Sequence, residues 1–527
     1  MISKKGDSLL IRIVLNPLCL IPILLISLFL NHSNAKNEDL PKFTNVQTET
    51  NISFVGNMGQ SATWGDYNAD GWPDIFLSNS DRNIRRKKHR REQGSIQGLN
   101  PSIDQYQVQR SFLFLNEEGR FKEVSRYLGL PNSHNKTATW ADYNNDGFPD
   151  LALGTIRAGM PIKLYKNVDG VSFIDVSEEA GLTKDGSTVV HGVWADYDND
   201  GNVDLFQAGM AASFLYRNKG DGTFEEISEG VGLGERFNTN SALWFDSNND
   251  GYQDLFLVNS GINRMYLNNG DGTFLDITDR SGLGGRQIWN STSACSGDYN
   301  GDGYFDIYVT NIGRASGNAL YRNNGDGTFT NITWETNTDD VGDGRTCAWI
   351  DFDADGRIDL FSTNHLHPNK LYRNTGNDVF VDVAPLVGID SPIDVFAASW
   401  GDYNRDGFVD VFLNGHIGTA LMKNSGNSNN SVTLNLIGSG LLSNSSAIGA
   451  RVEVISNEGI QVREVSGGRG CCEQDMLPVY FGVGKEDSID VNVKWPSGKT
   501  CSFKDLSLEK VNSFTMHEIK CDIIPLK

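Results

Sequence analysis

A nine-residue pattern, Asp-x-[Asp/Asn]-x-Asp-Gly-x-x-Asp, occurs seven times in this 527-residue chain and constrains its fold more than any other feature. The copies begin at Asp66, Asp142, Asp196, Asp246, Asp298, Asp351 and Asp402, spaced 50 to 54 residues apart except for a first interval of 76. A fixed period near 50 points to a propeller or solenoid. Each period has one grammar. A lead-in of small and aromatic residues (Ala62-Thr63-Trp64, Ala398-Ser399-Trp400) precedes the pattern, and a short apolar run (Leu255-Phe256-Leu257-Val258) follows it. Then come a run such as Leu320-Tyr321-Arg322-Asn323, a Gly-Asp-Gly turn, and a last run such as Phe329-Thr330-Asn331-Ile332. Aromatic and β-branched runs punctuated by Gly, Asn and Asp read as four short strands per period. No window carries the 3.6-residue period of a helical solenoid. The expected fold is all-β: a seven-bladed β-propeller of four-stranded blades over residues 36–427, then a small C-terminal β domain over 428–520. Phe43-Thr44-Asn45-Val46 resembles the last strand of a period. The seventh period has no clean last strand after Leu421-Met422-Lys423-Asn424, so the N-terminal strand is expected to close the ring.

The pattern also carries the chemistry. Positions 1, 3, 5 and 9 place hard oxygen donors on a tight loop, and the Gly at position 6 permits the turn that converges them. The candidate ligands are Asp66, Asn68, Asp70 and Asp74; Asp142, Asn144, Asp146 and Asp150; Asp196, Asp198, Asp200 and Asp204; and Asp246, Asn248, Asp250 and Asp254. They continue with Asp298, Asn300, Asp302 and Asp306; Asp351, Asp353, Asp355 and Asp359; and Asp402, Asn404, Asp406 and Asp410. Five positions are Asn, leaving 23 Asp among 28. The carbonyl of position 7 (Trp72, Phe148, Asn202, Tyr252, Tyr304, Arg357, Phe408) adds a further oxygen. Such all-oxygen ligation suits Ca²⁺, in up to seven loops, better than Mg²⁺ with its stricter, wetter shell. No Cys or His stands at a ligand position, which argues against thiol and imidazole metals. The loops are not EF-hands: position 12 is never Glu, and strand rather than helix follows. A single loop of this kind reads equally well as an ion-free Asx-turn. Seven loops of converging carboxylates repel without a cation. Loops with Asp198 and Asp353 at position 3 carry four carboxylates and are expected to bind tightest.

The repeats resemble the FG-GAP/VCBS calcium-loop propellers related to integrin α-subunit heads. The C-terminal part resembles the ASPIC/UnbV domain shared by secreted cartilage acidic protein and the UnbV proteins. This second resemblance rests on Ala447-Ile448-Gly449-Ala450-Arg451-Val452, Val462-Arg463-Glu464-Val465, Gly467-Gly468-Arg469-Gly470, Tyr480-Phe481-Gly482-Val483-Gly484 and Val493-Lys494-Trp495-Pro496-Ser497-Gly498. Where that family has an aromatic followed by a Ser-Gln-type stretch, this chain has Cys471-Cys472-Glu473-Gln474. The resemblance implies an exported calcium-binding protein of adhesion or recognition, and no established chemistry.

Export is expected from the N-terminus: Lys4, Lys5 and Arg12, an apolar run from Leu18 to Leu30, and Ser33-Asn34-Ala35 read as a signal peptide over 1–35. That places the protein outside the cell, at its surface or in a periplasm, with membrane contact only if the segment is retained. The formal charge is −22, and an acidic chain is a poor partner for nucleic acid. The exception is an insertion in the first period holding Arg82, Arg85, Arg86, Lys87, Lys88, Arg90 and Arg91. It reads as a solvated loop or as a contact for a polyanion or membrane surface. Blade topology puts the calcium loops and Gly-Asp-Gly turns on one face and this insertion on the other, so a protein or glycan ligand is expected opposite the metals.

No catalytic signature is present, and the protein is not expected to be an enzyme. The rival readings are a polysaccharide-active propeller enzyme, which would need carboxylates, His, Tyr or Arg converging at the ring axis, and a structural part of an envelope assembly. Cys295 and Cys347 read as buried free thiols. Cys471 and Cys472 are expected to staple to Cys501 or Cys521. His365 and His367 read as turn residues. The sequons at Asn51, Asn135, Asn290, Asn331, Asn429 and Asn444 matter only in a eukaryotic host.

Overall fold

The computed structural model describes residues 40–526 apart from 53–58, 80–110, 132–136, 156–158, 185–188, 314–316, 391–393, 416–417, 458, 471–472 and 509–511. The signal segment, the basic insertion, Asn135 and the Cys471-Cys472 pair lie outside these residues. The chain divides into 1–41 and a compact unit of Lys42–Lys527 that holds every sheet. Among the described residues no helix is long and apolar enough to cross a membrane.

Among the described residues the repeats form seven sheets of antiparallel strands, here numbered along the chain. Their innermost strands are Gly59–Gly65, Thr137–Ala141, Val189–Ala195, Thr239–Phe245, Ser291–Gly297, Asp343–Ile350 and Val395–Gly401. Each innermost strand contacts that of the next sheet, and the seventh contacts the first, so the sheets follow one another around a closed β-propeller ring. The cores lie between neighbouring sheets because inner strands such as Asp204–Gly209 bury both faces, while outermost strands such as Phe274–Asp276 are largely exposed. Tyr67, Phe76 and Leu113 of sheet 1 meet Trp140, Leu151 and Phe173 of sheet 2, and the same packing joins sheets 3 and 4. Sheet 7 contributes only three strands of its own. Phe43–Asn45 supplies the fourth, pairing antiparallel with Thr419–Asn424 in the register Phe43↔Asn424.

Cys295 and Cys347 are not free thiols. They form a disulfide between the innermost strands of sheets 5 and 6, 52 residues apart in the chain. Packing of consecutive sheets lays two equivalent strands side by side, and equivalent positions on them bring the sulfurs together.

Residues 430–525 form two further four-stranded sheets. One orders Val479–Gly484, Asn430–Ile437, Ser513–His517 and Asp522–Pro525; the other Gly459–Glu464, Arg451–Ser456, Ser488–Lys494 and Thr500–Ser507. Val432, Leu434, Val452, Phe481, Val491, Trp495 and Met516 fill the space between them, in an apolar cluster continuous with Trp194, Leu205 and Tyr216 of sheet 3. The C-terminal domain is therefore packed on the ring rather than tethered to it. Cys501 pairs with Cys521, so neither is available to Cys471 or Cys472.

Candidate metal centres

Each nine-residue pattern is the loop between the innermost strand and its neighbour, with its last Asp opening the second strand. The backbone explains the fixed positions. Position 4 is left-handed in every loop, from Ala354 at φ 54° to Gly301 at 72°. Position 6 has φ between 85° and 96°, which only Gly adopts without strain. The position-1 carboxylate then accepts the Gly N–H, as from Gly71 to Asp66 Oδ2 at 2.7 Å and from Gly356 to Asp351 Oδ2 at 2.9 Å. Position 5 accepts the position-7 N–H, as from Trp72 to Asp70 Oδ1 at 2.8 Å. The loop thus coils around its own carboxylates.

Position 9 is fully buried in all seven loops. In each, its Oδ1 accepts the N–H of an Asn that is the last or last-but-one residue of the third strand: Asn116, Asn167, Asn218, Asn268, Asn323, Asn374 or Asn424, at 2.7–2.8 Å. The side chain of that Asn does more. Asn218 Nδ2 donates to the Val203 carbonyl of its own loop at 3.1 Å and to the Tyr143 carbonyl of the preceding loop at 2.7 Å. All seven repeat this bridge, and Asn116 makes it to Tyr403 of loop 7, so the chain of amides is circular. Sequence reasoning passed over these residues, although an Asn in the same place of every period was the available signal.

The carboxylates converge most closely in loops 3 and 6. One carboxylate oxygen from each of Asp196, Asp198 and Asp204 lies within 4.8 Å of the others, and so for Asp351, Asp353 and Asp359. Asp196 Oδ1, Asp198 Oδ1 and Asp353 Oδ1 are buried and lack a hydrogen-bond partner, and a buried carboxylate oxygen without a partner calls for a cation or a proton. These residues fit a hard cation. In loops 1, 4, 5 and 7 the position-3 Asn instead turns its Nδ2 to the position-5 carboxylate, at 2.8–3.0 Å. The fourth carboxylate of loops 3 and 6 does not stand alone. Arg217 reaches Asp198 at 2.7 Å and Asp200 at 3.1 Å, and Arg373 reaches Asp353 at 2.6 Å and Asp355 at 2.8 Å. Each guanidinium offsets the charge that a fourth carboxylate adds.

Burial pushes the position-1 carboxyls up in every loop: Asp66 to about 6, Asp196 and Asp402 to about 7, and Asp142, Asp246, Asp298 and Asp351 in the same direction. Position 9 follows, with Asp254 at about 7, Asp74 at about 9, and Asp150, Asp204, Asp306, Asp359 and Asp410 well above the carboxylate range. His365 is held by Asp394, its Nδ1 2.5 Å from the carboxylate.

The C-terminal domain sits on this face of the ring. Ser445 Oγ donates to Asp142 Oδ2 at 2.5 Å, and Asn444 Nδ2 to Asp196 Oδ2 at 3.3 Å. Glu464 accepts the Asp246 N–H at 3.3 Å, and Arg451 Nη2 donates to the Gly303 carbonyl at 2.6 Å. Asn427 and Asn429 donate to the Asp353 carbonyl at 2.7 and 2.9 Å, and Ser431 Oγ to the Gly407 carbonyl. Loops 2 to 7 are all touched.

From the same domain, residues 466–470 and 473–476 run into the ring. Glu473–Gln474 add a parallel strand to the innermost strand of sheet 1. Gln474 Oε1 accepts the Trp140 N–H of sheet 2 at 2.6 Å, and the Gly467 carbonyl accepts the Trp194 N–H of sheet 3 at 3.0 Å. A Cβ on Gly470 would lie 2.2 Å from Ser293 Oγ of sheet 5. Arg469 donates to the Cys347 carbonyl of sheet 6, and Glu473 and Asp475 accept the Ala398 and Trp400 N–H groups of sheet 7, each at 2.7 Å. A segment that meets six innermost strands lies on the ring axis. Its charges close on themselves: Arg469 pairs with Glu473 at 2.8 Å and Asp475 at 2.6 Å. Innermost strands present an unpaired edge to the axis, and this peg supplies its partners.

A family model described as FG-GAP-like repeat matches residues 196–257, 246–309, 298–362 and 351–413, and one described as ASPIC and UnbV matches 440–519. Among curated relatives, cartilage acidic protein 1 of Xenopus tropicalis is 28% identical over 250 residues, covering 34% of this chain and 38% of that protein. The Homo sapiens protein is 24% identical over 265 residues, covering 37% and 39%. The match thus spans about two fifths of those relatives' length. Among solved structures, an Agrocybe aegerita lectin that recognises non-reducing terminal N-acetylglucosamine is 18% identical with a TM-score of 0.41, covering 61% of this chain and 88% of the lectin. BBS1N in complex with ARL6DN is 10% identical with a TM-score of 0.43, covering 74% and 99%.

Proposed function

For a chain that carries FG-GAP-like repeats followed by an ASPIC and UnbV domain, we propose an exported binding protein whose propeller loops hold calcium as structural ions. The observation that carries this reading is the set of buried carboxylate oxygens without partners in loops 3 and 6. Position-1, -3 and -9 carboxylates and the position-7 carbonyl make an all-oxygen set of the kind Ca²⁺ takes. The ion would supply the positive charge that the buried carboxylates otherwise lack. Calcium in all seven loops, through the 28 residues at positions 1, 3, 5 and 9, is part of the proposal.

The reading is one of recognition rather than catalysis. An enzyme on this ring would work from groups at the axis, and there Arg469, Glu473 and Asp475 are paired with one another and with strand edges. With the metal-loop face carrying the C-terminal domain, the opposite face and the rim are offered to an extracellular protein or glycan. A polyanion contact through Arg82, Arg85, Arg86 and their neighbours belongs to the same proposal.

Thermal unfolding with calcium and with chelator tests it. A ligand that binds only the folded state stabilises it by about 2.7 kcal/mol per site at a hundredfold excess over Kd. The expected result is a rise in Tm with added calcium and a fall on chelation. A Tm indifferent to both would remove calcium from the account.

A further inference from the structure

The C-terminal domain does not treat the seven loops alike. On loops 2 and 3 its side chains donate to the very carboxylates that would ligate an ion: Ser445 to Asp142, Asn444 to Asp196. On loop 4, Glu464 takes the backbone N–H of Asp246. On loop 6 the fit is close, since a Cβ on Gly482 would stand 2.1 Å from Asp351 Oδ2, and on loop 7 a Cβ on Gly407 would stand 2.1 Å from Asn512 Nδ2. Loop 1 has no such contact among the described residues. It is held from within the propeller, by Arg405 of loop 7, which donates to the Gly71 carbonyl and lies 4.5 Å over the Trp72 ring.

We infer that cation binding in loops 2 to 7 and docking of the C-terminal domain, with its axial peg, are one coupled equilibrium from which loop 1 stands apart. The inference rests on the calcium reading above. Hydrogen bonds from outside fix the orientation of a ligating carboxylate, so a docked domain holds these loops in their binding shape. Conversely, emptied loops leave clustered carboxyls without a counter-charge at the domain contact: one oxygen from each of Asp196, Asp198 and Asp204 lies within 4.8 Å of the others, and Glu464 rests on Asp246. A cation that favours the docked form must shift docking, and docking must shift cation affinity by the same factor. The peg carries that shift to the ring axis, because residues 466–470 and 473–476 belong to the docked domain and meet innermost strands at the other end of its contacts.

The test is hydrogen exchange on the full chain, calcium-loaded and chelated, with bound calcium counted in parallel. The reporters are the amides of Trp140, Trp194, Ala398 and Trp400, whose partners are peg atoms. The controls are Ile227 and Phe274, bonded within the propeller. Chelation is expected to speed the reporters at least tenfold and leave the controls slow. Asp66→Asn with Asp70→Asn is expected to lose one calcium without moving the reporters, and Asp196→Asn with Asp198→Asn to lose one and move them. Arg469→Ala, which loosens the peg, is expected to weaken calcium binding at all loops but the first. Calcium bound and then removed with the reporters unmoved would overturn the coupling alone. A chain that retains no calcium would overturn the functional reading, and this inference with it.

Discussion

At the scale of single residues, the fold depends on a small set of buried polar groups repeated seven times. The Asn at the last or last-but-one place of each third strand joins three backbones, and in Asn218 the side chain spans Tyr143, Val203 and Gly220. Replacing it takes the amide donor from two buried carbonyls and the acceptor from the part-buried Gly220 N–H. Asn218→Ala is expected to cost about 2–4 kcal/mol in denaturant unfolding, since each orphaned buried group costs roughly 1–3 kcal/mol. A loss below about 0.5 kcal/mol, the low end for a single hydrogen bond, would show that the bridge does not hold neighbouring loops. The invariant Gly of position 6 was legible in the sequence because its φ requirement is local. The Asn was not, because its partners lie in another repeat. The Cys295–Cys347 bond escaped notice for the same reason: two cysteines in separate lead-ins become neighbours only once sheets 5 and 6 pack side by side.

At the scale of the loop, the same carboxylates make stability depend on pH when no cation is present. Burial raises Asp66 to about 6, Asp196, Asp254 and Asp402 to about 7, and Asp74 to about 9. Between the ordinary carboxylate range and these values the folded chain binds more protons than the unfolded chain, so stability falls as pH rises. The Tm of the chelated protein is expected to drop steadily from about pH 5 to about pH 9. The gain on adding calcium should grow over the same interval, since the ion displaces protons from its ligands. A chelated Tm flat across this range would mean that the loops hold their carboxylates ionised by other means. The strand order and the loop itself were readable from pattern alone, being set by contacts within one period. The arginines that cross positions 3 and 5 were not: Arg217 lies 19 residues beyond Asp198 and Arg373 20 beyond Asp353, and only strand pairing brings them together.

At the scale of the whole molecule, propeller and C-terminal domain share one apolar cluster through Trp194, Leu205 and Tyr216. With calcium present they are expected to unfold together, as coincident transitions in tryptophan fluorescence and far-ultraviolet circular dichroism. Two separated transitions would mean that the cluster is not a common core. The end of the repeats and the motifs from Ala447 to Gly498 mark off a C-terminal domain, with no sign in them that it caps the loops or enters the ring. Gly467, Gly470 and Gly482 mark the approaches, but a glycine in a sequence does not say what it makes room for.

The pairing of Phe43–Asn45 in sheet 7 governs when the molecule can come into being. Lys42 meets Ser425, 383 residues further on. At about 5–20 residues per second, the first strand waits roughly 20–80 s for its partner to be synthesised. The peg, at 466–476, emerges later still. A ring whose clasp joins its two ends cannot lock while it is being made. Until then its sheet edges stay unpaired, and they are most exposed to misassociation during that wait.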